Sequence, residues 1–84
     1  MSMSEEQIVN KLRSIFINVF DIKEDEIENE SSPNTIKNWD SLGHLQLVLA
    51  IEDEFNISIT ADEAMEMITF DAVKNLLVKH LLTA

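Results

Sequence analysis

The chain of 84 residues has no cysteine, no tyrosine, one glycine and one proline. Without cysteine, neither a disulfide nor a thiolate metal site can hold the fold. The polypeptide itself cannot carry a thioester either, so any thioester chemistry needs sulfur from an added group. Basic residues are scarce. Six Lys and Arg stand against sixteen Asp and Glu, for a net charge of −10. Long apolar runs are also missing. The longest, Leu47 to Ile51, falls far short of the roughly 20 residues that a membrane helix needs. The first residues, MSMSEEQ, lack the positive-then-apolar pattern of a signal peptide. The expectation is a soluble, cytoplasmic protein.

What is present is an ordinary apolar fraction of 45%, enough for one domain over 1–84 with a small core and modest stability. The charge is unevenly placed. Residues 1–37 hold eight acids and four Lys or Arg, residues 38–73 hold eight acids and no Lys or Arg, and residues 74–84 hold two lysines and no acid. The middle of the chain should repel nucleic acid and anionic membranes and attract basic protein patches. Acidity alone is equally consistent with a solvated surface that keeps a small protein soluble.

Ser4 with Gln7 three residues on marks a capping-box start, and Ile8, Leu12, Ile15, Phe16 and Val19 follow at helical spacing. This predicts a first helix over 4–20. Residues 21–39 lack sustained periodicity and hold the single proline, Pro33. They read as a long connection anchored by Ile27, Ile36 and Trp39, with one helical turn near Asp25–Glu28. Long connections in compact domains are usually functional or tied down. The acids there do not form an EF-hand loop, which needs a central glycine and fixed ligand spacing. Further helices are predicted over 41–55, over 61–67 with Thr60 and Glu63 as a capping box, and over 70–82 with Thr69 as cap. The fold class is all-α: a four-helix bundle with a short third helix and a long loop between helices one and two.

On the second helix, Leu47, Val48, Ile51 and Phe55 form a core-facing stripe. Leu42, Leu45 and Leu49 fall on a neighbouring side with Gln46, Glu52 and Asp53. Either the third helix or the loop covers these leucines, or they form an apolar patch rimmed by acids, suited to a transient protein partner. Periodicity by itself favours cover, with Leu42 in the first turn as the exception. Met65, Met67 and Ile68 could line a space between helices or simply fill it.

Asp40 is suited to cap that helix, which puts Ser41 at its first position, at the positive end of the dipole. A phosphodiester attached there would be stabilised by the same end. Nucleophilic catalysis is a poor reading. Although His44 lies one turn from Ser41, the GxSxG elbow and its preceding strand are absent, and a small bundle has little room to exclude water. His44 reads as a surface or boundary residue and His80 as a partly buried helix residue. Two lone histidines so far apart give no metal site. An exposed serine can instead be an attachment point, modified by another enzyme that supplies the base.

These features resemble the acyl carrier protein family. The resemblance covers nearly the whole chain and is strongest over Trp39–Phe55, continuing through Ile57-Ser58-Ile59. Asp40-Ser41-Leu42 match the family's D-S-L motif, and Leu47, Glu52, Glu54 and Phe55 match its following helix. The resemblance implies a freestanding carrier, not an enzyme. It would hold an acyl or aminoacyl intermediate as a thioester on a 4′-phosphopantetheine arm derived from coenzyme A. Ser41 would be the attachment residue and Asp40 the cap that supports modification. Leu42, Leu45, Gln46, Leu49, Glu52 and Asp53 would contact partners: a phosphopantetheinyl transferase, and acyl-loading and acyl-processing enzymes with basic patches. A monomer that binds no metal, no nucleic acid and no membrane is expected. Two positions depart from the fatty-acid pattern. Gly43 and Gln46 stand where acids are usual, which points to a specialised pathway making a polyketide, a lipopeptide, or a modified sugar or amino acid. The glycine-rich approach to the serine typical of peptidyl carriers is absent. The alternative is an unmodified acidic adaptor domain that binds a basic protein partner.

Overall fold

The computed structural model describes residues 3–82, so the outermost residues of the 1–84 span lie outside it. Helix α1 is Glu5–Phe20, α2 is Ser41–Phe55, α3 is Ala61–Glu66 and α4 is Phe70–Leu82. A single 3-10 turn, Glu24–Glu26, interrupts the long α1–α2 connection. No strand is present among the described residues, and the architecture is all-α.

Short polar side chains start each helix. Ser4 Oγ accepts from the Gln7 amide at 3.2 Å while Gln7 Oε1 accepts from the Ser4 amide at 2.9 Å. Thr60 and Glu63 make the same reciprocal pair at the start of α3. Thr69 Oγ1 accepts from the Ala72 amide at 3.0 Å at the start of α4. Asp21 and Asn56 end α1 and α2 in the left-handed region, each at φ 54°. Asp and Asn tolerate that conformation better than most residues with a side chain.

The core is an aromatic cluster wrapped in aliphatic side chains. Phe16 sits at its centre and meets Phe20, Trp39 and Phe70 edge-on at ring separations of 5.3, 5.2 and 5.0 Å. Edge-to-face contacts set the positive ring edge against the negative ring face, each contributing about 0.5–1.5 kcal/mol beyond simple burial. Ile8, Leu12 and Ile15 of α1, Leu47, Ile51 and Phe55 of α2, and Val73 and Leu77 of α4 complete the shell. Met67 is fully buried just after α3, whereas Met65 and Ile68 are exposed.

The long connection is bound to the bundle throughout. Ile27, Ile36 and Trp39 enter the core. Arg13 Nη2 donates to the Glu24 carbonyl at 2.9 Å, and Asn38 Nδ2 donates to the Phe20 carbonyl at 2.7 Å. The Ser31 and Asn29 carbonyls accept from the Phe70 and Asp71 amides. The loop backbone thus satisfies amides that the first turn of α4 cannot satisfy internally.

Leu47, fully buried between these layers, tests the packing. Leu47→Ala should destabilise the protein by about 2–5 kcal/mol, read by urea denaturation, because the core can only partly collapse around the lost volume. Leu42→Ala, on an exposed position, should leave the midpoint nearly unchanged.

Candidate functional site

The start of α2 is set by two contacts made before the helix proper. Asp40 Oδ1 accepts from the Gly43 amide at 2.8 Å, and the Asp40 carbonyl accepts from the His44 amide at 2.7 Å. Asp40 is therefore the N-cap, and Ser41 is the first helical residue. Ser41 is exposed, and no protein hydrogen bond involves its hydroxyl among the described residues.

Gly43 has a packing cause. A Cβ at this position would overlap the Asn38 carbonyl oxygen and lie 3.2 Å from Phe20 Cε1. The loop backbone passes directly against α2 here, and only a residue without a side chain admits it. The helix loses roughly 1 kcal/mol of propensity relative to alanine at this position. The close approach of the loop offsets that loss. The composition of the helix alone did not reveal this reason.

His44 is half-buried and more structural than a boundary residue. Trp39 Nε1 donates to His44 Nδ1 at 2.8 Å, and His44 Nε2 lies 2.8 Å from the Ala64 carbonyl. An indole N–H can only donate, so Nδ1 is the acceptor and Nε2 carries the proton. His44 thus links the loop, α2 and the end of α3. With both ring nitrogens engaged, it has no lone pair to take the Ser41 proton, and the arrangement is not a serine–histidine nucleophile. The second histidine, His80 of α4, also reaches α3, with Nε2 at 2.8 Å from Glu63 Oε2. Both histidines therefore hold the shortest helix in place.

The second side of α2 is open, contrary to the cover that periodicity favoured. Leu42, Leu45 and Leu49 are 65%, 55% and 56% exposed, and Met65 and Ile68 are also exposed. The α3 segment docks through Met67 and the His44 contact, so it does not lie across these leucines. Gln46 and Asp53 are exposed on the same helix. Glu52 is only half-exposed, because its Oε2 accepts from the Ile59 amide at 2.8 Å and organises the α2–α3 connection. Glu54 pairs with Lys11 at 2.9 Å. The fully exposed acidic character of α2 is thus narrower than the sequence suggested. Beside Ser41 lies an open groove of about 510 Å³ lined by Pro33, Trp39, Asp40, Ser41 and His44.

No family model matches the chain. Individual relatives do. It is 38% identical over 73 residues to an acyl carrier protein of Lactobacillus acidophilus, covering 84% of this chain and 90% of that one. It is 32% identical over 75 residues to an acyl carrier protein of Buchnera aphidicola, covering 89% and 96%. A third, from a Picosynechococcus species, is 30% identical over 74 residues, covering 88% and 91%. The chain belongs to the acyl carrier protein family. It is a carrier and not a catalyst, in keeping with the occupied ring of His44. No helix among the described residues is long and apolar enough to cross a membrane.

The sequence marks Asp40 as the cap and Ser41 as the first helical residue, and the structure agrees, but it does not show the contacts made by Asn38, Gly43, His44 and Glu52. The single glycine inside a helical pattern was the one available signal, since it marks a close approach as readily as a weak helix.

Two measurements check this geometry. Gly43→Ala should destabilise the protein by about 1–3 kcal/mol despite alanine's better helix propensity, because backbone must move to relieve the overlap. Glu63 supplies a pH dependence. Its carboxyl is held below the ordinary value of 4.5, first by the Thr60 amide and further by His80, against the opposing effect of burial. A depressed carboxyl contributes stability that is complete above the ordinary value and is lost as pH falls through the lowered one. The melting-temperature gap between wild type and Glu63→Gln should therefore be widest near neutral pH and close as pH drops below 4.5.

Proposed function

We propose that this carrier holds an acyl or aminoacyl intermediate as a thioester on a 4′-phosphopantetheine arm attached at Ser41. The single observation that carries the reading is the exposed Ser41 hydroxyl at the amino end of α2, with a stripe of exposed leucines running away from it. The local chemistry fits the group. A phosphodiester on Ser41 would lie at the positive end of a 15-residue helix, and the adjoining groove gives the arm room beside the protein. When attached, the arm supplies the thiol that a cysteine-free chain lacks.

Within this reading each residue has a defined task. Asp40 fixes the first turn through the Gly43 amide, so that Ser41 is held outward for the modifying enzyme. Leu42, Leu45 and Leu49 offer apolar contact to partner enzymes, and Gln46, Asp53 and the free oxygen of Glu52 offer polar contact at the rim. The partners are a phosphopantetheinyl transferase and acyl-loading or acyl-processing enzymes with basic patches. Such contacts are weak and salt-sensitive, since exposed charges are screened over about 8 Å at physiological ionic strength. The carrier works as a cytoplasmic monomer.

A specialised pathway is favoured over primary fatty-acid synthesis. Gly43 and Gln46 replace acids near Ser41, and Glu52 gives one of its oxygens to the Ile59 amide. These features leave fewer negative contacts for a partner that reads charge beside the attachment point.

Incubation with coenzyme A and a promiscuous phosphopantetheinyl transferase tests the proposal. The expected result is a mass increase of one arm in the wild type and none in Ser41→Ala. Absence of any increase in correctly folded wild type would instead favour an unmodified acidic adaptor.

A further inference from the structure

An apolar chain tethered at Ser41 has two places to go. It can insert between the helices, where it leaves water, or it can remain on the surface. The ground between Ser41 and the bundle interior decides which. The groove beside Ser41 is floored by two stacked rings. The His44 and Trp39 planes differ by 12° with centroids 6.2 Å apart, and the Trp39 and Phe20 planes differ by 28° at 5.4 Å. Phe16, Phe70, Leu47 and Met67 are all fully buried in the core behind them.

The floor is also cross-linked. Trp39 on the loop donates to His44 on α2, which donates to the Ala64 carbonyl at the end of α3. That carbonyl also accepts from the Met67 amide, so the same point fixes the chain entering the core. To pass from Ser41 through this floor into the interior, an acyl chain would have to break both histidine hydrogen bonds and displace an aromatic stack. Closely packed interiors resist such insertion, and the buried indole N–H would be left without its acceptor.

We propose that Trp39 and His44 are specificity-determining residues that latch the bundle shut and keep the acyl group in the outer groove. The carrier is accordingly suited to short or polar acyl groups, which lose little by remaining in water. A long alkyl chain would stay exposed. This inference rests on Ser41 being the attachment point and goes beyond it by naming the cargo class and the side chains that select it.

The test loads the protein with butyryl, octanoyl and dodecanoyl phosphopantetheine from the corresponding acyl-coenzyme A and a promiscuous transferase. Mass spectrometry verifies each form. Melting temperature and the emission of Trp39, the single tryptophan, are then recorded. The expected result is one melting temperature and one emission maximum for all three chain lengths. In His44→Ala the latch is cut, and the melting temperature should climb with chain length. His44→Gln, whose amide can accept from Trp39 and donate to Ala64, should restore the flat response. Trp39→Phe, which keeps a ring but removes the donor, serves as a second cut should His44→Ala fail to fold. A wild-type melting temperature that rises steadily from butyryl to dodecanoyl, with a shift in Trp39 emission, overturns the inference. A flat response in the folded latch variants overturns the assignment to these side chains. Failure of any arm to attach defeats the carrier reading itself and is seen separately in the mass.

Discussion

The hydrogen bond from the Gly43 amide to the Asp40 carboxylate, made where α2 crosses the loop backbone at Asn38, is the constraint on which the rest of the site depends. It places the helix start at one residue. A cap one position later would carry Ser41 out of the helix, and a side chain at position 43 would push the loop away from Phe20. Asn38 ties the same backbone to the end of α1 through the Phe20 carbonyl. The beginning of α2 is thereby referenced to the aromatic core and not merely to the loop before it. An exposed hydroxyl gains a fixed direction from buried neighbours.

The same economy runs through the rest of the chain. The α1–α2 connection is long, yet its carbonyls cap α4 and its apolar residues fill the core. The short α3 has little apolar area of its own, and its position comes from Met67 and from polar ties to His44 and His80. A short helix held in this way leaves the leucine side of α2 uncovered. Exposed leucines are thus a consequence of where α3 docks, and they lie along the helix that starts at Ser41. Stability and presentation share the same residues: Trp39 packs on Phe16 and also floors the groove.

Much of this was readable before any coordinates. The fold class followed from apolar spacing, because the helix faces carry regular stripes and three starts carry Ser or Thr caps. Asp40 and Ser41 were identifiable because an N-cap is a local device whose signal sits within a few residues. What could not be read depends on contacts distant in sequence. Asn38 meets Phe20 eighteen residues away, and His44 meets Ala64 twenty residues away. No periodicity records such pairs. Glu52 looked like a free surface acid because its partner is the Ile59 backbone, which has no side-chain signature. The leucines were misjudged for a related reason. A wheel shows that a second apolar side exists, but only the docking of α3 decides whether anything lies over it.

The central claim is that a pinned helix start holds Ser41 outward, and amide hydrogen exchange at Gly43 tests it most directly. The account predicts a protected Gly43 amide in the native protein. In Asp40→Ala that amide should exchange markedly faster, while the amides of Ile51 and Phe55, deeper in α2, keep their protection. A native Gly43 amide that exchanges as fast as an open chain would contradict the account, since the cap would then not exist and nothing would hold the serine in place.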